Sequence, residues 1–389
     1  MKKLGNGGGR RTSKLYIVSK RGFIYVLFTL VYFMTFFASV PDTFIKKSFM
    51  RKLYAYLLGG LLISTSFFIT QSCVKSSSSA NTLIGDWARS SDFDGNARSE
   101  GSIFEIGDFA YLTTGSTDRD RFKDIWEFSL AKQYWAQKAD LPGSARNSAV
   151  AFSIGSKGYV GTGYDGENML TDFWEYDPGS NQWTQKADFA GGARYDAVGF
   201  SVNNEGYISC GFNGNYLKDL WQYDPGTDQW TQKASIGGTK RSAAMAFVMS
   251  NKAYVCSGNN NGSALNDLWA YDPTNDTWTE KRKLTNVSTD TYDDNYTNIA
   301  RYNGVAFVMG DAAYITTGES GSLISDTWAY DPVADLWTKK TSFEGTARTG
   351  AVAFTLGGRG FVLTGRSGSL SFDNMYEWLP NNAEDPNNN

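Results

Sequence analysis

Aromatic and polar residues alternate through Trp174-Glu175-Tyr176, a turn follows at Asp177-Pro178-Gly179-Ser180, and the alternation resumes at Trp183-Thr184-Gln185. Period-two patterning on both sides of a turn with Pro at its second position predicts a β-hairpin. Beyond Arg194 comes a small, apolar run, Ala197-Val198-Gly199-Phe200, with no polar interruption. Such a run suits a strand covered on both faces. A turn at Asn203-Asn204-Glu205 and a short strand, Gly206-Tyr207-Ile208-Ser209, lead to Gly211, so this stretch predicts four short strands.

The same pattern recurs along the chain. Landmarks fall at Trp126, Trp135, Arg146 and Gly163; at Trp174, Trp183, Arg194 and Gly211; and at Trp221, Trp230, Arg241 and Gly258. Two more copies give Trp269, Trp278, Arg301 and Gly318, then Trp328, Trp337, Arg348 and Gly365. The two Trp are always 9 residues apart and Arg to Gly is always 17, while the second Trp precedes the Arg by 11 except after Trp278, where the gap is 23. One loop therefore carries a 12-residue insertion. At the N-terminal side Trp87, Arg98 and Gly115 keep the spacing without a first Trp, and Tyr376-Glu377-Trp378 ends the series without a second. The two part-units add up to one, giving six repeats. Four strands in a period near 48 make a propeller blade, so the predicted fold is an all-β, six-bladed β-propeller. Its ring should be sealed by pairing the strand around Asp86-Trp87-Ala88 with Tyr376-Glu377-Trp378.

At these positions the chain resembles the kelch-repeat family over roughly residues 84–380: the Arg opening the inner strand, the Gly ending the second strand, and the Tyr-Asp-Pro turn followed by Trp. Family members usually end the second strand with Gly-Gly, whereas here the pairs are Thr162-Gly163, Cys210-Gly211 and Ser257-Gly258. A single Gly can still supply an unusual backbone angle.

Residues 1–49 differ in character, with nine Lys or Arg, one acid (Asp42) and an apolar run over 22–40 long enough to cross a bilayer. A second start, Met50-Arg51-Lys52, precedes Leu57-Leu58-Gly59-Gly60-Leu61-Leu62-Ile63 and ends in Thr70-Gln71-Ser72-Cys73. Residues 50–72 have the basic, apolar and small-residue regions of an export signal and resemble a bacterial lipoprotein signal with Cys73 as the lipidated residue. Residues 1–49 then read as an upstream mis-start or an extra membrane segment, 73–83 as a Ser-rich tether and 381–389 as a disordered tail. The expectation is a monomeric lipoprotein exported to the bacterial cell envelope, outer-membrane or periplasm-facing, and membrane-anchored by its N-terminus.

After residues 1–72 are set aside, 26 basic and 39 acidic residues remain, a net charge of −13. An acidic domain argues against nucleic-acid partners, which require phosphate neutralisation by Lys and Arg. Cys210 and Cys256 read as small buried residues on opposite strand faces. The chain contains no His, which removes imidazole acid–base work, Ser-His-Asp triads and most zinc or copper sites. Some kelch propellers resemble galactose oxidase, whose copper centre needs His; that chemistry is excluded here, and no cofactor or metal is expected.

The six arginines, Arg98, Arg146, Arg194, Arg241, Arg301 and Arg348, should ring the axis. An Asp shortly precedes each first-Trp position: Asp124, Asp172, Asp219, Asp267, Asp326 and Asp373. Six-fold invariance suits a structural ring of ion pairs. Binding should use positions where the repeats differ, and the residues after each Arg nominate Glu100, Ser148, Tyr195, Asp196, Tyr302 and Asn303 on a funnel face. In the insertion, Tyr292 and Tyr296 could cover a ligand as a lid, while Asp290, Asp293 and Asp294 could accept sugar hydroxyls or a calcium ion, although for calcium the spacing lacks a Gly turn and a bidentate Glu. These residue types suit a glycan, a peptide or an envelope protein as partner. The expectation is a binding module. The alternative is a sugar mutarotase or epimerase similar to the kelch N-acetylneuraminate epimerase, with Glu100 or Asp196 shuttling a proton while ring arginines hold a carboxylate.

Overall fold

A computed structural model describes residues 83–388. The segment 1–49, the signal at 50–72, Cys73 and nearly all of the tether lie outside the described residues. The described chain forms six four-stranded antiparallel sheets, the blades of a β-propeller. Blade 1 runs from inner to outer edge through Ser102–Ile106, Phe109–Thr113, Ile125–Ser129 and Tyr134–Gln137. Blades 2 to 5 repeat this order, and a small extra hairpin, Asn259–Asn260 with Ser263–Ala264, decorates blade 4.

The hydrophobic interior is divided into six clusters, each formed by the facing sides of two neighbouring blades. A two-sided strand pattern requires this, since a blade buries one face against each neighbour. At three junctions a Phe on an inner strand lies flat against a Gly of the next blade. A Cβ added at Gly158 would come within 2.0 Å of Phe104, and one at Gly206 within 2.3 Å of Phe152. The rings need that space, so these glycines serve close approach.

Closure follows the register that the sequence predicts. Asp86–Arg89 pairs antiparallel with Met375–Leu379, setting Trp87 opposite Trp378 and Ala88 opposite Glu377, so blade 6 takes its outer strand from the N-terminal side. Trp87 is fully buried, with its ring centroid 4.9 Å from that of Trp378 and 5.1 Å from that of Phe343. Residues 382–388, read above as part of a disordered tail, instead turn back along this strand. Gly85 N–H donates to Asn382 O at 2.9 Å and Arg89 N–H to Asn388 O at 2.9 Å, while the Asp86 carboxylate accepts from Asp385 N–H at 3.0 Å and Asn388 Nδ2 at 2.8 Å. The tail thereby occupies an otherwise open sheet edge. Deleting residues 84–91 should lower the melting temperature by many degrees, and an unchanged thermal melt would refute closure through this strand.

Candidate functional site

The six ring arginines are buried, none more than 1% exposed. Each works inside its own blade. Nη1 of Arg98 donates to Thr114 O at 2.9 Å and Nε to Asn96 O at 3.0 Å, and the same two bonds recur in every blade, from Arg146 to Thr162 O and Ser144 O through to Arg348 to Thr364 O and Thr346 O. The Nη1 acceptors belong to the residues before the repeat Gly, and all six hold left-handed φ near +54° to +62°. Residues with a Cβ pay about 1–2 kcal/mol for that conformation, which accounts for the family's preference for Gly-Gly there. The turn is what aims their carbonyls at the guanidinium.

In four blades the fork of the Arg closes on a carboxylate: Arg98 on Asp124, Arg146 on Asp172, Arg194 on Asp219 and Arg241 on Asp267, at 2.5–2.7 Å. The same Asp accepts the indole N–H of the following Trp, as Asp124 does from Trp126 at 2.7 Å. Desolvation acts to raise the carboxyls of Asp124, Asp172 and Asp267, yet the guanidinium outweighs it and holds them below the ordinary range. The other two blades depart from the expected ring. Asp326 turns its carboxylate to Lys339, Ser342 and Asn298 and offers Arg301 only its main-chain O at 2.8 Å, leaving the buried Trp328 indole N–H without a partner. In blade 6 the partner of Arg348 is Asn374, not Asp373, and its Nη2 has none. Rings of Phe343 and Phe372 flank that guanidinium at 4.9 and 4.4 Å. Burial without a carboxylate fork pulls both arginines down to about 10. With all six enclosed, none can hold a ligand's carboxylate.

Two residues after each Arg, the chain turns at the axis. Glu100, Ser148, Asp196, Ala243, Asn303 and Gly350 all take φ between +51° and +64°. Each donates its N–H to the carbonyl of its counterpart in the preceding blade at 2.7–3.1 Å, and Glu100 N–H to Gly350 O closes the circle. A second circle runs in the opposite sense, from the N–H of each repeat Gly to the carbonyl of the next blade's Arg at 2.8–3.0 Å. These rings frame a central pocket of about 120 Å³ whose lining includes Glu100, Ser148, Asp196 and Asn303. Four of the nominated residues therefore meet at its floor. Glu100 accepts from Asn147 Nδ2 at 2.5 Å, Ser148 Oγ at 3.2 Å and Arg366 Nη2 at 3.4 Å. Burial pushes Asp196 up to about 7; the Glu100 charge adds to this and the Ser148 hydroxyl opposes it.

Tyr195 and Tyr302 stand half-buried on the same face. Each residue directly after a ring Arg bridges the residue directly after a repeat Gly: Asn147 with Tyr164, Tyr195 with Phe212, Tyr302 with Glu319, Thr349 with Arg366. Those second positions also differ in every repeat, Ser116, Tyr164, Phe212, Asn259, Glu319 and Arg366, and they extend the candidate site. Tyr164, Tyr195, Phe212 and Tyr216 form a continuous aromatic wall with successive centroids 5.7, 5.6 and 5.1 Å apart. Arg121 lies 5.1 Å over the Tyr164 ring and donates to Asn147 Oδ1 at 2.8 Å.

The insertion does not form a lid of tyrosines. The place of Phe93, Leu141, Phe189, Ile236 and Phe343, six residues after the second Trp, is held here by buried Leu284, whose N–H donates to Asn266 O at 2.9 Å as that of Phe189 does to Thr171 O at 2.8 Å. Tyr296, five residues before Arg301, is buried in the same cluster. It packs 5.9 Å from Trp328 and its Oη accepts the Trp337 N–H at 2.6 Å, so it is a core wedge between blades. Tyr292 meets Tyr296 edge to face and lies under Arg282 at 4.4 Å. Asp293 folds the loop on itself, accepting the N–H groups of Val287 and Ser288 at 2.9 and 3.0 Å.

Fold and rings together define a six-bladed β-propeller with one variable, funnel-shaped face. Comparison places it among known sequences. A profile described as the KLHDC2/KLHL20/DRC7 Kelch-repeats domain matches residues 81–240, and one for the Kelch motif matches 240–285. The chain is thus built of kelch repeats. No curated protein sequence matches it. A solved structure titled "Structure of YjhT" is similar with a TM-score of 0.62 at 17% identity, covering 73% of this chain and 95% of that one. That likeness concerns the fold alone.

Two substitutions test this assignment of roles. An acid whose folded pKa is raised weakens the fold as pH climbs from its unfolded value near 4 toward its folded value near 7. Asp196→Asn should accordingly raise stability at pH 8 by roughly 1–2 kcal/mol, discounted for partial solvation, and change little at pH 4; chemical denaturation at both values reads the difference. Tyr296→Ala should destabilise by about 3–4 kcal/mol, as for a buried aromatic, whereas a lid residue would leave the denaturation midpoint in place.

Proposed function

We propose that this propeller is a glycan-binding module, with Asp196 and Glu100 accepting sugar hydroxyls at the floor of the funnel and the aromatic wall over blades 2 and 3 stacking on a sugar face. The observation that carries the reading is the juxtaposition of that wall with two carboxyl acceptors on a face where the six repeats differ. Aromatic rings cover the apolar C–H faces of sugars while carboxylates and amides take their hydroxyls. A pocket of about 120 Å³ takes the tip of a glycan and leaves the rest to the rim. Carried on the tether after Cys73, the domain would present this face at the cell envelope.

One observation favours a second reading. A carboxyl held near pH 7 beside another carboxylate suits proton shuttling in sugar mutarotation or epimerisation. The anion-holding groups in that reading would be Arg121 and Arg366, since the ring arginines are enclosed.

The full chain should retain a subset of glycans on an array, and Asp196→Asn and Tyr195→Ala should each weaken the best binder at least tenfold, about 1.4 kcal/mol. Retention of no glycan, or equal binding by both variants, refutes the module. Accelerated anomer exchange of a reducing sugar in NMR, abolished by Asp196→Asn, selects the enzyme instead.

A further inference from the structure

The inner strands turn every second side chain toward the axis, and these residues line a second cavity of about 430 Å³ that opens away from the funnel. One layer of its wall consists of Ile103 with Ala or Gly from the other five blades. The next consists of Glu105, Ser153, Ser201, Val248, Val308 and Thr355. Five of the six repeats place a neutral residue at this level and one places a carboxylate. Thr355 N–H donates to Glu105 Oε1 at 3.2 Å, while the Thr355 hydroxyl is committed to Val308 O at 2.9 Å. No Lys or Arg lines the cavity among the described residues. A carboxylate set among small neutral groups, with one N–H donor and no cation in the cavity wall, leaves its charge uncompensated unless a cationic partner comes from outside. Desolvation already lifts this carboxyl to about 6.

Val248 and Val308 also line a groove of about 550 Å³ between blades 4 and 5, which continues over Met249 to the turn carrying Val333, itself 95% exposed. Exposed Asp311 and Asp331 belong to the same groove. An apolar track edged by acids thus leads to the carboxylate of half-buried Glu105.

We propose that this face binds a primary alkylammonium group on an apolar stem, with the ammonium at Glu105 and the stem over Val248 and Val308 toward the groove. The chemistry is shared by free alkylamines and by a Lys side chain of a partner. It is independent of the glycan reading, whose residues lie at the other end of the axis.

Titration calorimetry of the full chain with hexylammonium chloride tests it, with 1-hexanol as the uncharged control and Nα-acetyl-lysine methylamide as the side-chain probe. Hexylammonium should bind, hexanol should bind at least tenfold more weakly, and Glu105→Gln should lose at least tenfold in hexylammonium affinity. Ser201→Leu, which narrows the cavity without touching the carboxylate, should block binding too, and Asp196→Asn should leave it unchanged. Binding by the lysine probe points to a protein partner, and binding by hexylammonium alone points to a free amine. Absence of hexylammonium binding, or equal affinity in wild type and in both Glu105→Gln and Ser201→Leu, overturns the proposal.

Discussion

A guanidinium that cannot reach water must have its donors satisfied where it lies, and each blade of this propeller is arranged around that requirement. The arginine enters the inner strand, the left-handed residue before the repeat Gly delivers a carbonyl from the second strand, and an Asp reaches over from the start of the third. One side chain therefore fixes three strands relative to each other. The strain of the left-handed turn and the burial of the charge are both costs, and the hydrogen bonds from the guanidinium to the carbonyl and the carboxylate offset them together. Where the carboxylate is withdrawn, as at Arg301, main-chain carbonyls take its place, Asn298 O and Asp326 O among them.

This division of labour separates scaffold from site within a span of two or three residues. The Arg and the repeat Gly are fixed in all six units by the clamp, and the residues immediately following them are free to vary because only their backbone is used in the ring bonds. Variation at those positions turns a nearly six-fold object into a face with an aromatic wall on one side and the Glu100–Arg366 pair on another. The axial lining follows the same logic lower down, where a strand period of two places a single carboxylate among small neutral groups.

Spacing made the fold legible. Distances of 9, 11 and 17 between Trp, Arg and Gly are geometric consequences of strand and turn lengths, so blade count and the pairing of Trp87 with Trp378 could be read without coordinates. Glu100, Ser148, Asp196 and Asn303 were legible as residues of the axial pocket because they differ from repeat to repeat while the Arg before them does not. The rest depended on depth, which spacing does not encode. Tyr296 reads as a ligand-facing residue because it lies inside the insertion, where no counterpart in the other repeats marks it as core; Leu284 already holds the place of Phe343. Asp373 was chosen for its chemistry, whereas the clamp position two before the first aromatic is Asn374. Arg121 and Arg366 escaped notice because their proximity to Asn147 and Glu100 arises across blades.

The two counter-running circles of backbone bonds both pass through the junction of the last blade with the first, at Glu100 N–H to Gly350 O and Gly365 N–H to Arg98 O. No arc of five blades contains either bond. A chain still emerging from synthesis has the wall and the acids in its covalent sequence but neither closed circle, and both circles are completed only when the final repeat meets the first. Closure is therefore a property of the whole domain: a polypeptide that lacks any one blade can form neither circle.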